Sequence, residues 1–140
     1  ETGPRVTAKC LAQMSATLSA AQTTFLRTGG LHATGLFMAD GALLVSREDV
    51  GRHNAVDKVI GHLLLSGRID PSQVVLLVSG RVAFEIVQKA LAARIAFVAA
   101  ISAPTSLAVD FARAGGQTLV GFLRDGRMNI YAGSDRIVGD

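Results

Sequence analysis

The sequence predicts an α/β protein with three layers, in which helices cover both faces of a mixed β-sheet. Apolar runs with the composition of strands alternate with helical patterns through the second half of the chain. The run at 74–78 is apolar at every position, which is typical of a strand buried on both faces. Asp40-Gly41 separates two further apolar runs and indicates an antiparallel hairpin. This order predicts parallel strands with the hairpin at one edge of the sheet.

The first half of the chain contains two helical patterns around this hairpin. In both patterns apolar residues recur at steps of three and four, which is the period of an amphipathic helix. Glycines end both patterns, Gly29-Gly30 the first and Gly67 the second. The expected elements are a helix over 11–25, strands over 31–39 and 42–47, and a helix over 51–65.

The second half alternates buried strands with shorter helices. Ile86 and Leu91 share the apolar side of one helical pattern, and Leu107 and Phe111 share that of the next. Asp125-Gly126 indicates a turn between the last two strands. The expected elements are strands over 74–78, 95–101, 117–123 and 127–131, and helices over 81–94 and 104–114.

Length and composition exclude several classes of protein. A chain of 140 residues fits a single domain spanning 1–140, and a hydrophobic share of 49% excludes intrinsic disorder. No apolar run approaches the roughly 18–20 residues of a membrane span, and the start of the chain lacks a signal-peptide pattern. The single cysteine, Cys10, excludes an internal disulfide. We therefore expect a cytoplasmic domain without a membrane partner.

Two enzyme classes lack their sequence signatures. The three histidines have no metal-ligand spacing with a cysteine, and the zinc deaminase motifs do not occur, so no metal site is expected. The phosphate-loop motif of nucleotide hydrolases is also missing from the sequence. Neither zinc chemistry nor nucleotide hydrolysis is therefore predicted.

The basic residues indicate a discrete anionic ligand. The chain has 14 basic and 11 acidic residues, and eleven of the 14 are arginine. Arginine presents a planar fork that can bind phosphate or carboxylate through two hydrogen bonds. The arginines are dispersed and not interleaved with aromatic residues, so the sequence does not predict a nucleic-acid groove.

Three polar junctions follow apolar strand patterns and form the candidate site; they lie at 46–54, 79–81 and 102–106 and are called here the first, second and third loops. In open α/β sheets ligands bind at the carboxyl ends of the strands, where helix N-termini stabilise phosphates. The loop at 28–32 is a fourth candidate. The predicted site residues are Thr28, Gly29, Gly30, His32, Arg47, Glu48, Asp49, Gly51, Arg52, His53, Asn54, Ser79, Gly80, Arg81, Ser102, Ala103, Pro104 and Thr105.

Helix capping is the alternative interpretation of the three junctions. Asp49, Ser79 and Ser102 are residue types that cap helix N-termini, and Pro104 suits the first turn of a helix. Capping alone does not explain why three arginine-bearing or hydroxyl-bearing loops share one edge. The combination therefore favours an anion site.

Five segments together are similar to one known family. They read TGGLHA at 28–33, REDVGRHNAVDK at 47–58, SGRVAFE at 79–85, SAPTSLA at 102–108 and GFLR at 121–124. These segments resemble the FdhD family of formate dehydrogenase accessory sulfurtransferases. The resemblance implies a cytidine-deaminase-like fold without the deaminase zinc ligands.

The resemblance also implies a role in molybdenum-cofactor maturation. Family members accept sulfur from a cysteine desulfurase and transfer it to the molybdenum of bis-molybdopterin guanine dinucleotide. The sulfurated cofactor then passes to formate dehydrogenase. The resemblance thus implies that the site residues bind this cofactor, with GDP as an analogue. Its paired nucleotides are compatible with a homodimer.

Two departures from the family pattern leave the activity of this chain open. The family's sulfur-carrying C-x-x-C pair is missing, since Thr7 and Gln13 stand three residues either side of Cys10. Ala83 stands where the family usually has serine. The chain therefore resembles the C-terminal domain of the family, and whether it is itself an enzyme is undecided. The competing hypothesis is a protein-interaction or assembly module that docks formate dehydrogenase or the desulfurase.

Overall fold

Helices and strands alternate along the chain as the hydrophobic pattern predicts. The structure, a computed structural model, describes residues 3–22 and 32–139. Short 3₁₀ turns occupy Pro71–Gln73 and Ser134–Arg136. The helices and strands of the described residues are β1 (Val6–Thr7), α1 (Ala8–Ala21), β2 (His32–Met38), β3 (Leu43–Asp49), α2 (Arg52–Ser66), β4 (Val74–Val78), α3 (Phe84–Ala92), β5 (Phe97–Ala100), α4 (Ser106–Ala114), β6 (Thr118–Arg124), β7 (Arg127–Ala132) and β8 (Ile137–Val138).

Six strands form the main sheet in the order β3-β2-β4-β5-β6-β7. Strands β4, β5 and β6 are parallel, whereas β2 is antiparallel to both of its neighbours and β7 is antiparallel to β6. The carboxyl ends of β3 to β6 and the first residue of β2 therefore lie along one edge, called here the carboxyl edge. The predicted mixed sheet with a hairpin at its border is confirmed.

Two hydrophobic cores lie on opposite faces of the sheet. Helices α2, α3 and α4 cover one face, where Val56 and Ile86 pack against β4 and β5. Helix α1 covers the other face through Leu11, Met14 and Leu18. Burying one such side chain stabilises the fold by about 1.5–3 kcal/mol. Because both faces are covered, all five residues of β4 are buried, and the predicted three layers are confirmed.

Helices α3 and α4 begin later than the sequence predicts. They begin at Phe84 and Ser106, not at 81 and 104. The preceding residues form an isolated parallel bridge between Val82 and Pro104. The Val82 amide donates to Ala103 at 3.1 Å, and the Thr105 amide donates to Val82 at 2.9 Å. The prediction that Pro104 lies in the first helical turn is wrong, because this bridge keeps its backbone extended.

The predicted helix caps are also wrong. The N-cap of α2 is Gly51 and that of α3 is Ala83, and neither helix has a side-chain cap. The N-cap of α4 is Thr105, whose hydroxyl accepts from the Ala108 amide at 3.1 Å. Asp49, Ser79 and Ser102 each lie too far before these helices to cap them. Helices α2 and α3 thus begin at the carboxyl edge without a side-chain cap.

The ends of the described chain are joined by a small sheet that the sequence does not predict. Strand β1 pairs in parallel with β8. The buried Arg136 guanidinium supports this pair, since its Nη1 donates to the Gly116 carbonyl and the Thr118 hydroxyl, each at 3.0 Å. Helix α1 begins at Ala8 and ends at Ala21, while the predicted residues 23–25 lie outside the described residues.

None of the helices in the described part of the chain is long and apolar enough to cross a membrane.

The Arg136→Met variant is expected to lower the free energy of unfolding by about 1–3 kcal/mol, because the buried Thr118 hydroxyl and the Gly116 carbonyl lose a charged donor. Urea denaturation followed by circular dichroism measures the change. The matched control is Arg68→Met, at an exposed position after α2, which should stay within about 0.5 kcal/mol of the parent. Equal stability of the two variants would contradict a supporting role for Arg136.

Candidate functional site

The three predicted loops lie at the carboxyl edge, and hydrogen bonds join the second loop to the start of β2 and to the third loop. The Ser79 amide donates to the Ala33 carbonyl, and the Ser79 hydroxyl accepts from the Ala33 amide, both at 2.9 Å. These bonds fix the end of β4 to the start of β2. The bridge between Val82 and Pro104 fixes the second loop to the third. The loops therefore form one continuous surface.

The centre of this surface is a close approach of His32 and Arg52 to Gly80. A Cβ atom on Gly80 would lie 2.9 Å from His32 Nδ1 and 3.4 Å from Arg52 Cδ. Glycine is needed here because a side chain would displace the imidazole. We call these three residues the Gly80 cradle. They come from β2, α2 and the loop after β4, and the strand order brings them together.

The Arg52 guanidinium has donors without a partner among residues 3–22 and 32–139. Its Nε is buried, and the side chain makes no hydrogen bond or ion pair within the described residues. A buried donor without a partner costs about 1–3 kcal/mol of stability. Arg81, which is exposed, follows Gly80 and is likewise unpaired within residues 3–22 and 32–139. The cradle therefore offers cationic donors to an anion from outside the chain.

Arg47 is placed differently from Arg52. It lies at an exposed position of β3, opposite Thr34, and its Nη1 donates to the carbonyl of Ser46 at 2.7 Å. Its loop shares the carboxyl edge, but its guanidinium is bonded to its own strand. A role for Arg47 at the cradle stays a prediction.

Asp49 orders the turn that carries Arg52. Its Oδ1 accepts from the Gly51 amide at 3.0 Å and from Asn54 Nδ2 at 3.4 Å, and its Oδ2 pairs with Lys58 Nζ at 2.8 Å. The hydrogen bond from the Gly51 amide, followed by that from Lys58, lowers the pKa of Asp49 to about 2. Asp49, Gly51 and Asn54 thus have a structural role in this turn, and His53 lies half-buried beside them.

Glu48 carries a second unpartnered polar group at this edge. Its Oε2 is buried and has no hydrogen-bond partner within the described residues. Glu48 lies opposite Ala33, whose side chain belongs to the core under α1, so the carboxylate lies on the α1 face of the sheet. The edge therefore presents an unmet acceptor on one face and the unmet donors of Arg52 at the cradle.

The third loop uses most of its polar groups within the protein. The Ser102 carbonyl accepts from the Phe122 amide at 3.0 Å, the Ala103 carbonyl accepts from Val82, and Thr105 caps α4. Pro104 packs closely on the backbone of β6. The Ser102 hydroxyl makes no hydrogen bond within the described residues. This loop is consequently better suited to supporting neighbours than to binding an anion.

Some predictions cannot be placed, and one feature was missed. Thr28, Gly29 and Gly30 lie outside the described residues, so their site role stays a prediction. The missed feature is Phe122 at the end of β6, whose φ of 54° is unusual for a residue other than glycine. In the sequence, the only signal at this position is the GFLR segment at 121–124, which contains Phe122. Among the described residues no group of three or more His, Cys, Asp or Glu side chains is arranged to hold a metal ion.

The fold is a three-layer α/β architecture, and its carboxyl edge carries a buried arginine donor without a partner among the described residues. Residues 1–138 match the model of the FdhD/NarQ family, and the chain belongs to that family. The resemblance seen in the sequence is confirmed.

The chain is similar to curated relatives named "Sulfur carrier protein FdhD". It is 56% identical over 135 residues to that of Nocardia farcinica, which covers 96% of this chain and 48% of the relative. It is 58% identical over 132 residues to that of Mycobacterium tuberculosis, covering 94% and 48%. The chain thus spans about half the length of the curated relatives it matches.

A solved structure has a similar fold. It comes from Desulfotalea psychrophila, is described as that of a formate dehydrogenase accessory protein, and is 31% identical with a TM-score of 0.89. The match covers 98% of this chain and 58% of that one. The α/β fold is therefore shared, while the cytidine-deaminase-like architecture stays a prediction.

The stabilising effect of Asp49 is expected to depend on pH. Because its folded pKa is lowered from 3.8 to about 2, the ionised carboxylate stabilises the fold above pH 3.8. The effect is lost as the pH falls towards 2. The difference in unfolding free energy between the parent and Asp49→Asn should therefore shrink from neutral pH to pH 2. Asp110→Asn, at an exposed position of α4, is the control, and a difference independent of pH would disprove the assignment.

Proposed function

We propose that this domain binds the guanine nucleotide ends of bis-molybdopterin guanine dinucleotide while the cofactor receives sulfur. The observation that carries the proposal is the Arg52 side chain, whose Cδ lies against Gly80 and whose Nε is buried without a partner among the described residues. The names of the relatives support a role in sulfur transfer. The name of the similar structure supports a role as an accessory protein of formate dehydrogenase. The domain is thus a maturation factor whose cargo is the cofactor.

The cradle suits a pyrophosphate. Arginine binds phosphate oxygens through two parallel hydrogen bonds, and Arg81 adds a second guanidinium next to Gly80. Helices α2 and α3 begin beside the cradle without side-chain caps. Their first-turn amides and positive dipole ends favour an anion. A diphosphate thus meets donors from both side chains and backbone.

The proposed sulfur donor is a cysteine desulfurase, and the proposed recipient of the finished cofactor is formate dehydrogenase. In this scheme the chain's own residues bind and orient the cofactor, and the sulfur-carrying thiol is not Cys10. A homodimer would present two cradles, matching the two guanine nucleotides of the cofactor.

A second candidate function is docking of formate dehydrogenase or the desulfurase. The observation that favours it is exposed apolar surface at the end of α2, where Leu64 is 61% and Leu65 is 90% exposed. Because α2 begins at the carboxyl edge, this end lies away from the cradle. Docking there and cofactor binding at the cradle are therefore compatible.

GDP is expected to bind the domain, and Arg52→Ala is expected to weaken that binding by tenfold to a hundredfold. Loss of a charge-assisted phosphate contact typically costs about 1.5–3 kcal/mol. Arg52→Lys should lose less, because lysine keeps the charge without the fork. Isothermal titration calorimetry measures both. Arg68→Ala, near the far end of α2, is the control and should bind GDP like the parent. No binding by the parent, or equal losses for both Arg52 variants, would contradict the proposal.

Cys10 is expected not to carry persulfide. Its thiol is half-buried beside the core under α1, and a reactive thiolate needs exposure and positive surroundings. After incubation with a desulfurase and cysteine, mass spectrometry should find no added sulfur on Cys10. Cys10→Ser should leave GDP binding unchanged. A stable adduct of one sulfur atom on Cys10 would show that this thiol is the carrier.

A further inference from the structure

A cavity of about 450 Å³ lies at the edge of the sheet opposite the carboxyl edge. This edge, called here the amino edge, is formed by the loops that precede β4, β5 and β6. A cavity of this volume is large enough to hold a small organic molecule. Its walls include Leu91, Arg94, Ile95, Gly115, Gln117 and Arg136. None of them belongs to the candidate site, so the cavity is a separate feature of the molecule.

A buried polar atom in the wall of this cavity has no partner among residues 3–22 and 32–139. Gln117 is only 1% exposed, and its Nε2 donates to the carbonyls of Val87 and Ile95, each at 3.3 Å. These two acceptors fix which end of the amide is the nitrogen. The other end, Oε1, is a buried acceptor without a hydrogen bond. It therefore favours a ligand that brings a hydrogen-bond donor.

The position of this oxygen is given by Gly115. A Cβ atom on Gly115 would lie 3.2 Å from Leu91 Cδ2 and 3.5 Å from Gln117 Oε1. The oxygen thus lies on the same side of Gly115 as the Leu91 side chain. Leu91 is 37% exposed near the end of α3, so its side chain can turn aside and admit a donor to Oε1.

Arg94 adds a cation to the cavity at a backbone position that favours glycine. Arg94 follows α3 with a φ of 67°, and Gly116 follows α4 with a φ of 71°. Both helices end in the same way, because the next amide donates back to a helix carbonyl, at 2.8 Å after Arg94 and at 2.9 Å after Gly116. Glycine is usual at the left-handed residue of such an end. The arginine is held there against this preference, which favours a role for its guanidinium beyond ending the helix.

The positive charge of Arg94 lies on the side of the cavity where Ser72 is. Two hydrogen bonds from Ser72 lower the pKa of Asp70, and the charge of Arg94 lowers it further. Ser72 also lines the cavity. The Arg94 guanidinium makes no hydrogen bond or ion pair within the described residues, whereas that of Arg136 is already bonded to the protein. Arg94 is therefore the lining cation best placed to bind an anionic group.

We propose that the amino-edge cavity binds an aliphatic α-amino acid. The carboxylate of the ligand pairs with Arg94, and its ammonium group donates to Gln117 Oε1. Its side chain packs against the apolar wall formed by Leu91 and Ile95. A fatty acid would bring no donor to the amide oxygen, and an alkylamine would bring no anion to Arg94. This site is distinct from the proposed nucleotide site and does not depend on it.

Calorimetry with three probes tests which groups the cavity recognises. L-leucine should bind the parent. The probe 4-methylpentanoate lacks the amino group of leucine, and leucinol lacks its carboxylate. Each of these two should therefore bind about tenfold more weakly than leucine, or weaker still. Absence of leucine binding, or binding of either probe as tight as that of leucine, would overturn the proposal.

Arg94→Gly separates ligand binding from the structural role of this position. Because glycine suits the left-handed backbone, the variant should unfold at the same temperature as the parent or a higher one. Its leucine binding should nevertheless weaken about tenfold. Arg94→Lys should lose less, since lysine keeps the charge. The control is Arg127→Gln, at an exposed position of β7 at the carboxyl edge, which should bind leucine like the parent. Undiminished binding by Arg94→Gly would contradict the proposal.

Gly115→Ala tests the position of the ammonium group. Gly115 has a φ of −86°, which alanine adopts without strain. The added methyl occupies the space beside Gln117 Oε1, so leucine binding should weaken about tenfold. Gly61→Ala on α2, where a Cβ meets open space, is the matched control and should bind leucine like the parent. Equal binding by the two variants would show that the ligand does not reach this oxygen, and the proposal would fail.

Discussion

The position of β2 between β3 and β4 is the constraint on which the site depends. Because β2 runs antiparallel to both neighbours, its first residue, His32, lies beside the ends of those strands. Ser79 fixes this arrangement through two hydrogen bonds to Ala33. Only in this order do the turn that carries Arg52 and the loop that carries Gly80 come into contact across His32. A sheet with β2 at another place would keep the first and second loops but would take His32 away from Gly80.

The carboxyl edge holds two buried polar atoms whose hydrogen bonds are unmade within the described residues. Away from this edge the buried Arg136 guanidinium bonds to Gly116 and Thr118, although Gln117 Oε1 is buried without a partner among the described residues. At the carboxyl edge, Arg52 Nε and Glu48 Oε2 are likewise buried without partners within residues 3–22 and 32–139. Each leaves a desolvation cost that a bound ligand would remove. Arg52 Nε is a hydrogen-bond donor and Glu48 Oε2 is an acceptor. A ligand with both phosphate oxygens and hydrogen-bond donors would therefore pair with more of these atoms than a simple anion would.

The sequence predicts those parts of the fold that local hydrophobic pattern determines. The run of β4 and the apolar faces of α2 and α3 depend on burial alone, and their prediction is confirmed. The predicted start of α3 is wrong because Val82 bonds to the third loop, and this contact joins residues that are distant in sequence. From the sequence, Gly80 can be recognised as a position where another group can approach the backbone closely. That His32 and Arg52 are those groups depends on the strand order, which the local sequence does not give. The bulge at Phe122 has no local signal, since it is enforced by Ser102 and Pro104.

The capping pattern indicates which part of the carboxyl edge suits the proposed anion site best. Thr105 satisfies a first-turn amide of α4, so the third loop has fewer free donors than the first two. Helices α2 and α3 lack side-chain caps, and they flank Gly80. The attraction of a helix dipole and of free first-turn amides for an anion falls off within the first helical turn. It therefore acts on an anion at the ends of β3 and β4, where α2 and α3 begin, and not on one beside β5. The third loop instead uses its carbonyls within the protein, where Ser102 accepts from the Phe122 amide and Ala103 accepts from the Val82 amide.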